Sequence, residues 1–431
     1  MTNYPTPDES PTTAKERTRG LNILFVALLS IGMGQTLFSA ILPPLAREMG
    51  MSEVQVGYIF SLSAVMWVVM SPVWGRLSDR IGRKPVILIG LTGYAISTGG
   101  FGLLVLLATK DLLSLTMLAP SLILVRAIFG TFGSGTMPAS TAYVADRTSR
   151  MERSGGVARI SAAFGVGTII GPGIAGVLLT FGQLTPFFAV AAFALAGAFA
   201  VLVLLPERSR PQGSATKRRI KKSIGFMDKR VRAFIGVSLA LSIGQSSVMQ
   251  VTSFYFMDVL GFTTTEAGQF VSVGLMMMAA AALFAQLVII QRFGASVQSL
   301  LRWGAVLAIA AFVILIFGTS FSVLVSGLVI SGLGFGLMRP GLSSAASLSV
   351  DPDEQGAVAG MIGSTGAVGH MLNPVVGMPL YQIYHQGPFV MAGALLVLSL
   401  VVILLHPRFK SLNAEAELDE EEEFSVTGRH G

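Results

Sequence analysis

Four ionisable side chains stand inside or at the edge of long apolar stretches of this 431-residue sequence: Arg126, Arg339, His370 and Asp258. A charge at bilayer depth is expensive and marks a functional site by default. A buried guanidinium offers a planar fork to a carboxylate or phosphate, or serves as counter-charge to a proton-carrying group. The competing reading is a side chain that reaches back to the membrane interface, and for Arg126 and Arg339 both readings stand. His370 titrates near neutral pH when unperturbed. With Asn373 one turn away it is either a proton carrier or half of a packed polar pair. Asp258 is either a coupling acid or an interfacial one. The sequence has no cysteine, no metal-ligand spacing and no nucleophile set beside a base, so neither an enzyme nor any cofactor or metal is expected.

The elements that must carry these residues are membrane helices. Hydrophobic residues make up 52% of the chain, glycines number 49 and mean hydropathy is +0.70. The apolar residues come in blocks of about 20 or more, enough to cross a hydrocarbon core of roughly 30 Å as helix. They do not alternate as barrel strands would. Twelve spans are read, at 21–46, 54–75, 85–108, 115–145, 156–180, 186–205, 233–257, 265–290, 297–317, 320–348, 355–383 and 387–405. An even number puts both termini on one side. Of the 30 Lys and Arg, 26 fall on that side and only Arg47 and Lys110 on the other, which makes both termini cytoplasmic. Residues 1–20 read as a disordered polar tail with no cleavable signal, 206–232 as a basic linker touching anionic headgroups, and 407–431 as an acidic tail. Two six-helix halves, 21–205 and 233–406, flank the linker.

The halves resemble each other. "MGMSEVQVG" (49–57) and "LGFTTTEAG" (260–268) superpose at an offset of 211, each carrying a Gly, an acid and a second Gly where a helix starts. "GTIIGP" (167–172) matches "GHMLNP" (369–374) at an offset of 202. The equal span counts and the central linker favour duplication of a six-helix unit. "WGRLSDRIGRKPV" (74–86) gathers Arg76, Asp79, Arg80, Arg83 and Lys84 between two apolar runs and reads as a short charged loop.

Six plus six helices joined by a basic linker, with "GRLSDRIGRKP" between spans 2 and 3, resemble the major facilitator superfamily. The loop fits that family's pattern at Gly75, Leu77, Asp79, Arg80, Gly82, Arg83 and Lys84. The resemblance implies a conformational latch made of Gly75, Asp79, Arg80, Gly82, Arg83 and Lys84. "RAIFGTFGSG" in span 4 resembles the family's intramembrane Arg segment at Arg126, Gly130 and the Gly133/Gly135 pair. "GVGTIIGPGIAG" in span 5 resembles the segment of drug/proton antiporters at Gly167, Gly171, Pro172 and, displaced by one, Gly176. Those glycines permit close helix contact and Pro172 bends the helix.

The implied fold is an all-α membrane protein of twelve helices in two pseudo-symmetric halves. Its cavity would lie among spans 1, 4, 7 and 10 and draw on Gln35, Phe38, Arg126, Gln245, Gln250, Phe254, Arg339 and Asn373, with Met137 and Met276–Met278 as adaptable or merely structural apolar walls. The implied activity is export of small amphiphilic, drug-like compounds across a bacterial inner membrane by alternating access. The partners would be a small-molecule substrate, membrane lipid and protons as coupling ion, with Arg126, His370 and Asp258 as coupling candidates; no nucleic acid is implied, and a monomer is expected. Span 1 lacks the acid that such antiporters often carry, offering only Gln35. A transporter of organic anions using the two arginines is therefore the alternative, and a non-transporting receptor or scaffold is a third reading.

Overall fold

The structure, a computed structural model, describes residues 13–206, 224–351 and 354–409. Most of the tails and of the basic linker lies outside the described residues. Twelve long helices follow one another: α1 Ala14–Glu48, α2 Glu53–Ile81, α3 Arg83–Thr109, α4 over 115–145, α5 Arg150–Leu179, α6 Thr185–Leu204, α7 Arg232–Leu260, α8 over 264–293, α9 Val297–Phe317, α10 Phe321–Leu348, α11 over 355–383 and α12 Gly387–Leu405. No strand occurs among the described residues. Eleven of these helices are long and apolar enough to cross a membrane. The remaining one, α11, is a continuous helix whose Gly, Ser, Thr, His and Asn residues dilute its apolarity.

Two expectations need correcting. Residues 14–20, read as disordered tail, are helical, because the Thr13 side chain accepts from the Glu16 N–H and starts α1 early. The charged stretch between spans 2 and 3 is scarcely a loop. α2 runs to Ile81 and α3 starts at Arg83, so the whole turn is Gly82, whose φ of +99° no L side chain adopts comfortably.

The internal repeat proves to be a repeat of helix caps. Gly50 and Gly261 both take positive φ (+76° and +69°). The next elements are capping boxes, Ser52 with Gln55 and Thr263 with Glu266, in which each side chain bonds the other's backbone N–H. Each half also has an ion pair near the start of its first helix. Arg17 meets Glu152 at 3.1 Å, joining α1 to the start of α5. Arg230 meets Glu354 at 2.9 Å, joining the approach to α7 with the approach to α11. Glu152 and Glu354 are separated by the same offset of 202 found for the span 5 and span 11 motifs. Arg230 also grips Asp228, and these bonds hold the Asp228 carboxyl below its ordinary range and raise the guanidinium.

The described residues divide into two compact units, one drawn from Met1–Lys217 and Ser253–Met276, the other from Arg218–Thr252 and Met277–Gly431. In the first, glycines let α5 press on α1. A Cβ at Gly167 would collide with the Leu29 carbonyl, and one at Gly171 would collide with the Met33 carbonyl and stand 2.6 Å from the Thr36 hydroxyl. Gly173 and Gly176 face α8 instead, against Met276 and Ser272. Small residues at these contacts replace the hydrophobic driving force that lipid removes. In the second unit Gly332 and Gly336 lay α10 on α8 in the same way, against the carbonyls of Met278 and Ala282. The fold thus predicts that Gly171→Val lowers the melting temperature in detergent by the equivalent of about 1–3 kcal/mol, whereas Gly165→Val, which meets nothing within 4 Å, leaves it unchanged.

Candidate functional site

Three polar clusters stand out against the apolar helices. The first surrounds Arg126 in α4, a side chain only 3% exposed. Its guanidinium carbon lies 3.8 Å from the Phe38 ring centre and 4.4 Å from that of Phe129, so two aromatic rings stand against it. Phe38 is itself fixed in a trio with Phe101 and Phe187, at centroid distances of 5.1–5.3 Å. Directly after Arg126, residues Phe129–Gly133 form a π-helical turn. Within it the Thr131 carbonyl accepts from the Trp74 indole N–H and from Ser134. Gly130 makes this packing possible, since a Cβ there would overlap the Ser63 carbonyl of α2.

The second cluster is a chain of hydrogen bonds between α7 and α11. The Ser247 hydroxyl donates to Asn373 Oδ1 at 3.1 Å, Asn373 Nδ2 to Gln250 Oε1 at 3.1 Å, and Gln250 Nε2 to His370 Nδ1 at 3.1 Å. Gln250 and Asn373 are buried, so each amide needs these partners. The direction of the chain makes Nδ1 the acceptor and leaves the ring proton to Nε2. Asn373 also opens the π-helical turn Asn373–Gly377, in which Pro374 contributes no backbone N–H. Near this chain the Arg339 side chain bonds Gln245 Oε1. Arg339 stands within the spanning helix α10 with part of its surface uncovered.

The third cluster ties the ends of α1 and α7. Arg47 donates to both oxygens of Asp258, at 2.6 and 3.1 Å, and to Glu53 at 2.6 Å. Its guanidinium carbon stands 4.8 Å from the centre of the buried Phe254 ring. Arg47 and Asp258 occupy equivalent positions of the two repeats, 211 residues apart. The sequence names Asp258 and Phe254 but gives no sign that Arg47 binds them; the offset was the available signal.

The expected latch residues divide. Arg83 pairs with Asp79 and, at 3.1 Å, with Asp146 at the end of α4, and it donates to Ser78 at 2.7 Å. Lys84 bonds the Leu205 carbonyl at the C-terminus of α6, where a cation complements the helix dipole. Arg80 and Asp79 are exposed. Gly75, expected at a close approach, has open space around it. Gln35 is exposed in the middle of α1 among buried neighbours.

A twelve-helix membrane protein with repeated caps and polar clusters buried at mid-helix has the architecture of a solute carrier. The chain belongs to the major facilitator superfamily, whose profile matches residues 24–374. It is 30% identical over 392 residues to multidrug resistance protein 1 of Bacillus subtilis, covering 89% of this chain and 94% of that protein. It is 23% identical to the quinolone resistance protein NorA of Staphylococcus aureus, over 90% of this chain and 97% of that protein. Among solved structures, the human organic anion transporter MFSD10 aligns with a TM-score of 0.62 at 23% identity, covering 90% of this chain and 99% of that one. The nucleoside transporter NupG aligns with a TM-score of 0.69 at 16% identity, again over 90% and 99%.

The α7–α11 chain makes a measurable claim about stability. Asn373→Leu strands the Gln250 carbonyl and costs about 1–3 kcal/mol. The Gln250→Leu/Asn373→Leu double variant should lose less than the sum of the single losses, since both partners leave together. Thermal unfolding of the four proteins closes the cycle.

Proposed function

We propose that this protein is a secondary active exporter of small amphiphilic, drug-like compounds. It works by alternating access as a proton antiporter in a bacterial inner membrane, as a monomer with both termini cytoplasmic. The resistance proteins it resembles over nearly their whole length support the substrate class, and the 26-to-2 distribution of Lys and Arg supports the orientation. The observation that carries the alternating-access reading is the Arg47–Asp258 pair: repeat-equivalent residues close the outer ends of α1 and α7 through a bond that can break and re-form. In this orientation the exposed Asp79, the Arg83 brace and Gly82 lie at the cytoplasmic ends, where they act as the latch of the opposite state.

Coupling falls to His370. Protonating Nδ1 sets two donors face to face, so the Gln250 amide must turn and the Asn373 and Ser247 bonds must reverse with it. Asp258 suits a gate better than a transported proton, because both its oxygens are held by Arg47 where the ends of α1 and α7 meet.

Inside-out vesicles with an acid lumen test the reading. Fluorescent dyes and antibiotics should accumulate in the lumen and leak out when a protonophore collapses the gradient; uptake indifferent to the gradient overturns antiport. His370→Gln should retain ligand binding and lose gradient-driven accumulation. If organic anions are taken up in place of dyes, and Arg339→Lys abolishes their binding, the anion reading replaces this one.

The gate is tested separately. Because the chain has no cysteine of its own, Gln35→Cys reports access to the middle of α1. Adding Asp258→Asn should speed its labelling by an impermeant maleimide from outside about tenfold, the effect of losing roughly 1.4 kcal/mol of a partly exposed ion pair. An unchanged rate removes the lock.

A further inference from the structure

We propose that Arg126, together with Tyr94 and Thr98, binds one small monovalent anion, either a halide ion or the carboxylate group of an organic ligand. Among the described residues Arg126 Nε and Nη1 are buried with no hydrogen-bond acceptor, and the buried hydroxyls of Tyr94 and Thr98 have at most each other. Tyr94 and Thr98 sit one turn apart on the same face of α3, and the Phe129 ring that stands 4.4 Å from the Arg126 guanidinium carbon lies 5.1 Å from the Tyr94 ring. The cluster therefore offers a full positive charge and two hydroxyls at membrane depth, and among the described residues no carboxylate bonds it. Such a set repels cations and is completed by a single negative charge that accepts several hydrogen bonds.

Aromatic faces do not supply what is missing. The Phe38 and Phe129 ring centres lie 3.8 and 4.4 Å from the guanidinium carbon, yet Nε and Nη1 keep no hydrogen-bond acceptor. A quadrupole contact lowers the cost of burying the ion; it does not accept those hydrogen bonds as an anion's lone pairs do.

The site is built rather than incidental. Tyr94 is completely buried, and its hydroxyl lies so close to Gly34 of α1 that a Cβ there would overlap it, which fixes the phenol against the α1 backbone. Phe129, which covers Arg126, is the first residue of the π-helical turn in α4. A π turn carries one residue more than an α turn, so its relaxation moves Phe129 relative to Arg126 without unwinding the helix. That ring is the cover of the site, and Trp67, 5.2 Å from it, is a reporter of its movement.

Binding, rather than flux, is the test, so failure here is distinct from failure of the antiport reading. Purified protein in detergent is titrated with sodium chloride or sodium acetate, with sodium methanesulfonate holding ionic strength constant. Melting temperature and tryptophan fluorescence are followed. The wild type should give a saturable response. Tyr94→Phe and Thr98→Val should each weaken it about tenfold, the loss of one hydrogen bond to an ion, and Arg126→Gln should abolish it. Should Arg126→Gln not fold, the two hydroxyl variants still decide. A response to chloride identifies a free halide as the occupant, and a response to acetate alone identifies a ligand carboxylate. No saturable response to either anion, or one with the same midpoint in the Tyr94→Phe/Thr98→Val variant, overturns the proposal.

Discussion

Hydrocarbon offers no hydrogen bonds, and the rest of this structure follows from that one constraint. Every backbone amide that crosses the membrane must be answered inside its own helix, so the apolar chain becomes helix throughout its described spans. Where a helix departs from the α pattern, a neighbour meets the freed group, as the Trp74 indole meets the Thr131 carbonyl. The polar side chains of two clusters obey the same rule. Gln250, Asn373, Ser247 and His370 are bonded in series across two helices, and Arg47 is answered by two carboxylates and a ring.

Because lipid does not push helices together, contact has to come from shape. The glycines of α5 show how this works: Gly167 and Gly171 bring the helix against carbonyls of α1, while Gly173 and Gly176, on another face, bring it against α8. Pro172 sits between the two sets. One short motif therefore serves two neighbours, and a change in either contact is transmitted along a single rigid helix.

Much of this was legible in the sequence because hydropathy marks where helices begin and end. The limits read for α9, α11 and α12 coincide with those observed, since turn and cap residues bound them sharply. The turn between α2 and α3 was misread because charge density looks like loop, whereas helices that extend past the membrane carry charge on their last turns without ending. Arg126 and His370 drew attention by their cost in an apolar run, Asn373 as the neighbour of His370, and Gln250 through the cavity that the resemblance implies. Arg47, Tyr94, Thr98 and Ser247 did not, because an interfacial arginine or a lone hydroxyl is cheap and common; only the partner across the helix seam gives it meaning. The offset of 211 between Arg47 and Asp258 lay in the sequence all along, but an arginine and an aspartate do not look like copies of one another.

The composition of α11 bears on how the chain is made. Gly356, Gly360, Gly363 and Gly366 meet nothing within 4 Å, and the helix also carries His370 and Asn373, so it falls short of the apolarity that its eleven companions reach. A segment of this kind partitions weakly into lipid from the insertion machinery. Its polar groups find their partners on α7, which is synthesised well over a hundred residues earlier in the numbering (Gln250 against His370). The bonds of α11 form only once α7 is in place beside it, which makes assembly of this protein a matter of timing as well as of hydrophobic insertion.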